Sequence, residues 1–343
     1  MRILSVGSFN GKSNTCVHRT WALEKMGSVD RVNMYEKPIT IWFRIANKFF
    51  NWGLPIKLPD ISNCNKQIIA LLDKINYDVI WIDKGLLVKA KTLKYIKEKY
   101  PETKIVSYSP DNMALRHNQS QQYLNCIPLY DNIFTNKSYI LEDMKNLGAN
   151  HIQFVNNSYE SSFHYPRTVT ENERIELGGD VGFVGAWEEE RADSILYLAE
   201  HGIKVRVFGG GKWLQYKNRY PNLLIEEHGL HGEDYSKSFQ AFKISLCFLR
   251  KMNHDLQTTR TMEIPACGGF MLAERTDEHL ALFEEGREAE FFSSNEELLE
   301  KCRYYLLHDK ERKEIAKNGI LRCENSGYDN QNVIRKLIEN ILN

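Results

Sequence analysis

The sequence has no long uninterrupted apolar stretch and no excess of either charge. Nothing in its 343 residues approaches the roughly 18 consecutive uncharged apolar residues that a transmembrane helix needs. The 45 basic residues balance 45 acidic ones, which excludes the strongly basic surface of a general nucleic-acid-binding protein. A charged ligand must therefore be met by local groups, and we expect no nucleic-acid partner.

Paired cysteine motifs are also missing. The seven cysteines are scattered, with no C-x-x-C pair and no nearby histidine to complete a zinc site. The opening residues MRILSVGSFNG lack the long apolar region of a secretory signal, and no repeat of fixed period or low-complexity segment is visible. We expect reduced thiols, no bound metal or cofactor, and a cytoplasmic protein, with peripheral attachment to the inner face of the membrane left open.

Short apolar runs alternate with helical patterns along the whole chain, which is typical of βαβ units around a parallel sheet. The length suits two domains of about 150 residues each. Residues 156–180 are polar, contain a proline and predict a linker. We predict two tandem Rossmann-like doubly wound α/β domains, 1–160 and 161–325, with an interdomain cleft for ligands. Residues 326–343 predict a helix that packs back on the first domain.

The segment RTMEIPACGGFMLAERT, residues 260–276, directly follows a predicted strand, ISLCFL. Thr258 or Thr259 can cap a helix that begins at Arg260, and a helix N-terminus after a strand is a ready phosphate site. Glu263, placed in the first turn, would accept both hydroxyls of a ribose. The alternative is a first-turn glutamate that is favoured by the helix dipole alone.

Glycines follow two further predicted strands of the second half. VGFVGAWEEER has a strand that ends at Gly185, and VFGGGKW has one that ends at Gly209. Glycine turns after strands allow the backbone to approach a phosphate or a base closely. Neither stretch has the G-x-G-x-x-G pattern, and neither lies in the first βα turn of the chain. A dinucleotide-dependent dehydrogenase is therefore disfavoured.

The second half resembles a known family through FVGAW, VFGGG, HGLHGEDYSKSFQAFKISLCF and TRTMEIPACGGFMLAERTDEHLALFEEGREAEFF. These motifs are similar to those of the nucleotide-sugar domain of GT-B glycosyltransferases, in the group 1, CgeB-like (spore-maturation-like) branch. The resemblance is most specific over residues 258–292. The first half resembles the family more loosely, through SYSPDN and YDNIFTNKSYILEDMKNLGANHIQFV.

That resemblance assigns roles to residues of the donor site. It implies that Glu263 grips the ribose and that the base stacks near Gly209, His228 and Gly229. It also implies a diphosphate site at the turn that contains Arg260 and Thr261, together with Arg191. The sequence departs from the broader retaining families, which carry an E-x7-E pair, because Asp255 stands at the first position. This departure leaves the stereochemical course open.

The first half would hold the acceptor and, in an inverting reaction, a general base. Asp111 follows a strand end, and its carboxylate could take the proton of an acceptor hydroxyl. The alternative for Asp111 is a turn or N-cap aspartate after Pro110. His18, in the first helix, is the other candidate base, unless it is a surface or core histidine. We interpret Asp83 and Lys84 as a salt-bridged loop.

Residues 41–57, IWFRIANKFFNWGLPIK, form the other informative stretch. Trp42, Ile45, Ala46 and Phe49 share a helical face, and basic residues flank it. Such a segment can lie in a membrane interface and bring an enzyme to a lipid-linked acceptor. The interpretation that we prefer is an ordinary buried helix of the first domain.

Together these features predict a metal-independent glycosyltransferase that moves a sugar from a nucleotide diphosphate-sugar to a hydroxyl of a glycan or glycolipid. Two alternatives remain open at this point. A nucleotide-sugar epimerase of the same fold would consume the donor without an acceptor, and a binding module would hold the nucleotide without turnover.

Overall fold

The protein folds into two compact units, which a computed structural model describes over residues 1–342. The first unit comprises residues 1–156 together with the segment from Gln331 onward, and the second comprises residues 157–330. The sequence predicted boundaries at 160 and 325, whereas the structure places them after residues 156 and 330. Each unit has one parallel sheet of six strands with helices packed on its faces.

The sheet of the first unit has the order β2-β1-β3-β4-β5-β6. Its strands are β1 (Arg2–Gly7), β2 (Ser28–Asn33), β3 (Val79–Asp83), β4 (Lys104–Ser109), β5 (Asn132–Thr135) and β6 (Ile152–Phe154). The central strand β3 reads VIWID and is buried at every position, as expected for a strand covered on both faces. The chain order reverses between β1 and β3.

Six helices of the first unit connect these strands and cover the sheet. They are α1 (Thr15–Glu24), α2 (Ile41–Asn51), α3 (Cys64–Leu72), α4 (Ala90–Lys99), α5 (Gln121–Cys126) and α6 (Leu141–Asn146). The main core includes Leu4, Ile80 and Ile105 from the strands and Ile68 and Leu93 from the helices. The apolar strand positions thus meet the apolar helix faces, which is the basis of this architecture.

The sheet of the second unit has the order β12-β11-β10-β7-β8-β9, again with parallel pairing. Its strands are β7 (Gly179–Val184), β8 (Val205–Phe208), β9 (Leu223–Glu226), β10 (Phe242–Cys247), β11 (Met271–Glu274) and β12 (Glu290–Phe292). The chain builds outward from β7 through β8 to β9, and then restarts on the other side at β10. The reversal therefore lies between β7 and β10.

Seven helices pack on this second sheet. They are α7 (Glu171–Leu177), α8 (Glu189–Glu200), α9 (Gly232–Ala241), α10 (Thr259–Ala266), α11 (Asp277–Leu282), α12 (Asn295–Leu307) and α13 (Asp309–Asn325). The last turn of α10 ends at Gly268, whose φ of +82° lies in the left-handed region that favours glycine. No helix within residues 1–342 is both long and apolar enough to cross a bilayer.

The helix α14 (Asn330–Leu342) returns to the first unit. Ile334, Leu337, Ile338 and Ile341 are buried in a cluster with apolar residues of β1, β3, β4 and β5. Trp81 of β3 lies in the same cluster and stacks on Tyr108 with ring centroids 5.6 Å apart. One face of the first sheet is thus completed by a helix that is distant in sequence.

Several elements were not predicted from the sequence, and two of them show the reason. The strand β2 reads SVDRVN and is paired with β1 at the edge of the first sheet, where charged residues are tolerated. The helix α7 lies inside the predicted linker 156–180 and begins with a capping box between Thr170 and Glu173.

All seven cysteines are buried and free.

The predicted buried helix at 41–57 is wrong. Only Phe43 and Phe50 of α2 are buried, whereas Trp42, Ile45 and Phe49 are exposed. The salt-bridged loop predicted at Asp83 and Lys84 is confirmed, and each of the two residues has its own partner.

Asp83 pairs with Arg19 of α1, whose Nε and Nη2 donate to the two carboxylate oxygens at 2.7 and 2.9 Å. Both side chains are buried, and the Arg19 guanidinium also lies 4.4 Å from the ring centroid of Tyr108. Lys84 pairs instead with Asp111.

Removing one partner of the buried Arg19–Asp83 pair should strongly destabilise the first unit. Asp83→Ala leaves a buried guanidinium without its acceptor, which costs about 3 to 5 kcal/mol of the free energy of unfolding. The matched control is Glu24→Ala, because Glu24 pairs with Arg31 at the surface and such pairs contribute about 0 to 1 kcal/mol. Urea unfolding followed by circular dichroism measures the free energy of unfolding of both variants. Equal decreases in the two variants would contradict the prediction.

Candidate functional site

The reversal of chain order between β7 and β10 marks the natural ligand position of the second unit. In open parallel sheets, ligands bind outside the carboxyl ends of the strands at such a switch point. The turn after β7 begins at Gly185, and the loop after β10 leads into the N-terminus of α10. Two segments that both carry predicted donor-site residues therefore meet at one place.

Gly185 lets these segments come close together. A methyl group at this position would lie 3.2 Å from Nη2 of Arg260 and 2.7 Å from the ring of Phe183. The Gly185 N–H donates to the Phe208 carbonyl at 2.9 Å, and the Gly185 carbonyl accepts from the indole N–H of Trp213 at 2.9 Å. The turn is thus held from both sides, and the absence of a side chain makes room for the guanidinium.

Arg260 is half-buried and has a buried hydrogen bond donor that is not used. Its Nε is buried and has no hydrogen bond partner. Its guanidinium lies 6.0 Å from the ring centroid of Phe183. Burial alone would lower the pKa of Arg260, but the neighbouring Tyr235 and Glu263 outweigh it, so that the pKa is raised. A buried cationic donor without an acceptor is costly, and an anionic ligand would satisfy it.

Glu263 lies on α10 and is buried between two polar side chains. The Tyr235 hydroxyl donates to Oε2 at 2.5 Å, and Nε2 of His164 lies 3.6 Å from Oε1. The helix begins at Thr259 and not at Arg260, so Glu263 falls in the second turn. The expected first-turn position was wrong, and the helix dipole therefore does not account for this carboxylate.

His164 was not predicted from the sequence, because it lies in the predicted linker without a recognisable pattern. It is buried, and its Nδ1 accepts from the Glu160 N–H at 3.2 Å, so the ring proton is on Nε2, facing Glu263. Burial lowers the pKa of His164 to about 3; Glu160 raises it and Arg167 lowers it further. His164 is therefore neutral at physiological pH, and its Nε2–H faces the carboxylate at 3.6 Å.

Thr261 does not offer its hydroxyl to a ligand. Its Oγ1 accepts from the Thr258 N–H at 3.0 Å and lies 2.9 Å from Nε2 of His279. The His279 Nδ1 lies 2.6 Å from the Glu274 carbonyl and must donate to it, which leaves Nε2 as the acceptor of the Thr261 proton. The Thr261 hydroxyl therefore caps α10, and the diphosphate site at the turn that contains Arg260 and Thr261 stays a prediction.

Arg191 braces two loops of the site. Its Nε and Nη2 donate to the Leu249 carbonyl at 3.2 and 3.0 Å, and its Nη1 donates to the Ala186 carbonyl at 3.0 Å. Burial lowers the pKa of Arg191; Glu188 opposes this, whereas the nearby Arg260 adds to it. The turn after β7 and the loop after β10 are thereby tied together, and the guanidinium has little capacity left for a direct diphosphate contact.

Gly209, His228 and Gly229 lie at the carboxyl ends of β8 and β9. Gly209 packs directly on the Gly185 carbonyl, which leaves no room for a side chain. His228 is exposed, and its ring centroid lies 6.1 Å from that of Phe208. A side chain at Gly229 would meet only His231, at 3.9 Å. These residues border the same end of the sheet as Arg260, with open space at Gly229.

In the first unit, Asp111 lines a cavity of about 180 Å³ at the carboxyl ends of β1, β3 and β4. The cavity wall also includes the paired Arg19 and Asp83, together with Tyr35 and Lys84. Asp111 forms an ion pair with Lys84, which keeps its carboxylate oriented at the cavity wall. The switch point of the first sheet is therefore lined by charged and polar groups.

His18 has a structural position instead. It is buried in α1, its Nε2 lies 2.7 Å from the Lys12 carbonyl, and its ring centroid lies 5.1 Å from that of Trp21. Because a carbonyl only accepts, Nε2 carries the proton and cannot serve as a base. His18 is also not among the residues that line the cavity around Asp111.

A larger open hollow of about 900 Å³ lies elsewhere on the second unit. It is bordered by Gly179, Val205 and Leu223, which mark the amino ends of β7, β8 and β9. This is the end opposite to the switch-point crevice, so we do not place the ligand there despite its size. Among residues 1–342, no group of three or more His, Cys, Asp or Glu side chains is arranged to hold a metal ion.

The family comparison concerns the second half of the chain. Residues 191–339 match a family model described as "Glycosyl transferase-like". No curated protein matches the sequence.

Solved structures resemble the chain over nearly its whole length. Sucrose-phosphate synthase from Thermosynechococcus elongatus has 11% identity over 99% of this chain and 98% of that chain, with a TM-score of 0.69. HepE from Anabaena in complex with UDP-glucose has 12% identity over 99% of both chains and a TM-score of 0.66. An apo structure of OtsA has 11% identity over 100% of this chain and 99% of that chain, with a TM-score of 0.67.

At such low identities the likeness establishes the fold. The two parallel six-stranded units are the two Rossmann-like domains of the GT-B fold, and the predicted fold class is confirmed. The family match over residues 191–339 points to glycosyl transfer, whereas the bound UDP-glucose is a feature of HepE itself. The CgeB-like branch stays a prediction.

The buried neutral His164 should make the protein less stable in mild acid. Below the unfolded-state pKa of about 6.5 the unfolded chain binds a proton that folded His164 does not, so stability falls as pH falls. Between pH 7 and pH 5 this one residue should cost about 2 kcal/mol. Urea unfolding of wild type and His164→Gln at both pH values measures the difference. Equal losses in the two proteins would contradict the assignment.

Proposed function

We propose that the protein is a glycosyltransferase that moves a sugar from a nucleotide diphosphate-sugar donor to a hydroxyl of a glycan or glycolipid, without a metal ion. The observation that carries the proposal is Arg260, whose buried and unpartnered Nε lies beside the Gly185 turn. This group stands at the switch point of the unit that contains most of the family match. A diphosphate is the anion that such a site would accept.

The donor would be held along the carboxyl ends of the second sheet. Arg260 would meet the diphosphate, together with backbone groups at the N-terminus of α10. Glu263, held by Tyr235 and His164, would accept the ribose hydroxyls. Gly209, His228 and Gly229 would border the base.

Two other residues have revised roles in this proposal. Arg191 acts by fixing the loops around Gly185 and Leu249, and Thr261 acts by capping α10. Both are therefore positioning residues, and neither needs to touch the donor. Their loss would displace Arg260, because α10 and the Gly185 turn would no longer be fixed.

The chemistry requires stabilisation of the departing diphosphate. A fixed guanidinium in a poorly solvated site supplies positive charge where negative charge develops, without reorganisation during the reaction. An inverting course also needs a base for the acceptor hydroxyl, and Asp111 at the cavity of the first unit is our assignment. A retaining course needs no protein base, and Asp111 would then position the acceptor.

Loss of Arg260 and loss of Glu263 should have different signatures in nucleotide binding. Removing the Glu263 carboxylate should weaken binding of a nucleoside diphosphate about 10- to 100-fold, as expected for hydrogen bonds to a charged group. Arg260→Gln should weaken binding of the nucleoside diphosphate by a similar factor. It should leave the weak binding of the free nucleoside unchanged. Calorimetry of UDP, GDP, ADP, CMP and TDP, and of the corresponding free nucleosides, against wild type, Glu263→Ala and Arg260→Gln measures these effects.

Glu314→Ala is the matched control, because Glu314 is an exposed glutamate on α13 of the same unit. It should bind like wild type. If no nucleoside diphosphate binds the folded wild type, the donor site is wrong. A protein that consumes a nucleotide-sugar without any acceptor would be an epimerase, and one that binds the nucleotide without turnover would be a binding module.

The proposed transfer should not depend on a divalent metal. Because Arg260 and the N-terminus of α10 supply the positive charge for the leaving group, EDTA should leave the rate of sugar transfer within about twofold of the untreated enzyme. The measurement is release of the nucleoside diphosphate in the presence of acceptor, with and without chelator. Loss of activity that manganese restores would refute metal independence.

A further inference from the structure

The helix α2 exposes an apolar face that no part of residues 1–342 covers. Ile41 is 72% exposed, Trp42 77% and Trp52 64%, with Ile45 and Phe49 exposed between them. Phe49 and Trp52 contact each other with ring centroids 5.6 Å apart. Large apolar residues exposed singly are common, but a cluster on one helix marks an interaction surface.

The helix has a second apolar face that anchors it. Phe43 and Phe50 are buried in the main core of the first unit, and the ring of Phe43 lies 6.0 Å from that of Tyr35. At about 100° per residue, positions 41, 42, 45, 49 and 52 fall within roughly a third of the circumference, beside this buried face. The helix is therefore apolar towards the core and also on an adjoining side. Packing inside its own unit accounts for the buried face but not for the exposed one.

The stretch of chain that carries this exposed face has only positive charges. The stretch 37–57 contains four basic residues and no acidic residue. These residues, Lys37, Arg44, Lys48 and Lys57, are all exposed. Arg44 and Lys48 lie along one border of the apolar face, and the Lys48 ammonium lies 5.1 Å from the Trp52 ring centroid. Such a border complements an anionic surface.

The pattern of residues favours one kind of partner. A second copy of the chain on a symmetric interface would bring the same cations towards each other, which costs energy. Tryptophans beside lysines and arginines suit the boundary between lipid headgroups and acyl chains.

We infer that α2 docks the first unit on the surface of an anionic lipid bilayer, with Trp42, Ile45, Phe49 and Trp52 inserted and Arg44 and Lys48 against the headgroups. Phe43, on the buried face of the same helix, contacts Tyr35. Tyr35 lines the cavity that Asp111 also lines. Under the proposed function, on which this point rests, docking would present that cavity to an acceptor carried by a lipid. The docking itself needs neither donor nor acceptor.

Vesicle binding tests the inference without reference to activity. The full chain is sedimented with vesicles of phosphatidylcholine alone and with vesicles that contain phosphatidylglycerol. Wild type should bind the anionic vesicles, with a blue shift of its tryptophan fluorescence. The double variant Trp42→Ser, Ile45→Ser should lower the partition coefficient at least about tenfold. Arg44→Glu with Lys48→Glu should reduce binding to the level seen with phosphatidylcholine, at about fivefold for each lost cation.

The matched control is Leu307→Ser, which removes an apolar side chain that is 83% exposed at the end of α12. It should bind vesicles like wild type. The inference is overturned if wild type does not bind anionic vesicles, or if the α2 variants bind as well as Leu307→Ser. It is also overturned if sedimentation velocity without lipid shows a dimer that the α2 variants dissociate, because the face then joins two copies. Circular dichroism verifies the fold of each variant.

Discussion

The close approach of Arg260 to the Gly185 turn is the constraint on which the second unit depends. It requires a position without a side chain after β7, a helix that begins after β10, and loops held in place around both. Trp213 and Arg191 supply that support, each through donors directed at backbone carbonyls. The result is a cationic group that is fixed before any ligand arrives, which is the arrangement that electrostatic stabilisation of a leaving group needs.

Much of the fold was readable from the sequence, because strands buried on both faces are continuous apolar runs. The strands β3, β4 and β10 carry VIWID, KIVSYS and FKISLC, and β10 overlaps the predicted strand ISLCFL. The edge strand β2 was missed, since a strand with one neighbour tolerates Asp30 and Arg31 and so loses the apolar signal. The helix α7 begins with TENE, a capping-box sequence that is typical of a helix N-terminus. The surrounding polar residues favoured a linker at this position.

The sequence predicted where the candidate site lies, but it did not predict most of the side-chain contacts within it. Sequence placed Arg260, Glu263 and Gly185 in one neighbourhood, because strand ends of a parallel sheet meet at one edge. It did not reveal that the Thr261 hydroxyl faces His279, or that His164 and Tyr235 flank Glu263. Those facts depend on which way each side chain points, and on a histidine that joins from a distant segment. Periodicity likewise showed that α2 is apolar but not which of its faces the core covers.

The return of α14 to the first unit has a consequence for how the chain folds during synthesis. The first sheet keeps one apolar face, with Ile3, Trp81 and Phe134, that is covered in part by Ile334, Leu337 and Ile338. Those helix residues are made after the whole second unit. The N-terminal unit therefore cannot finish folding as it leaves the ribosome, and the second unit is free to complete its own core first. Until then the open face is a surface for chaperones or for aggregation.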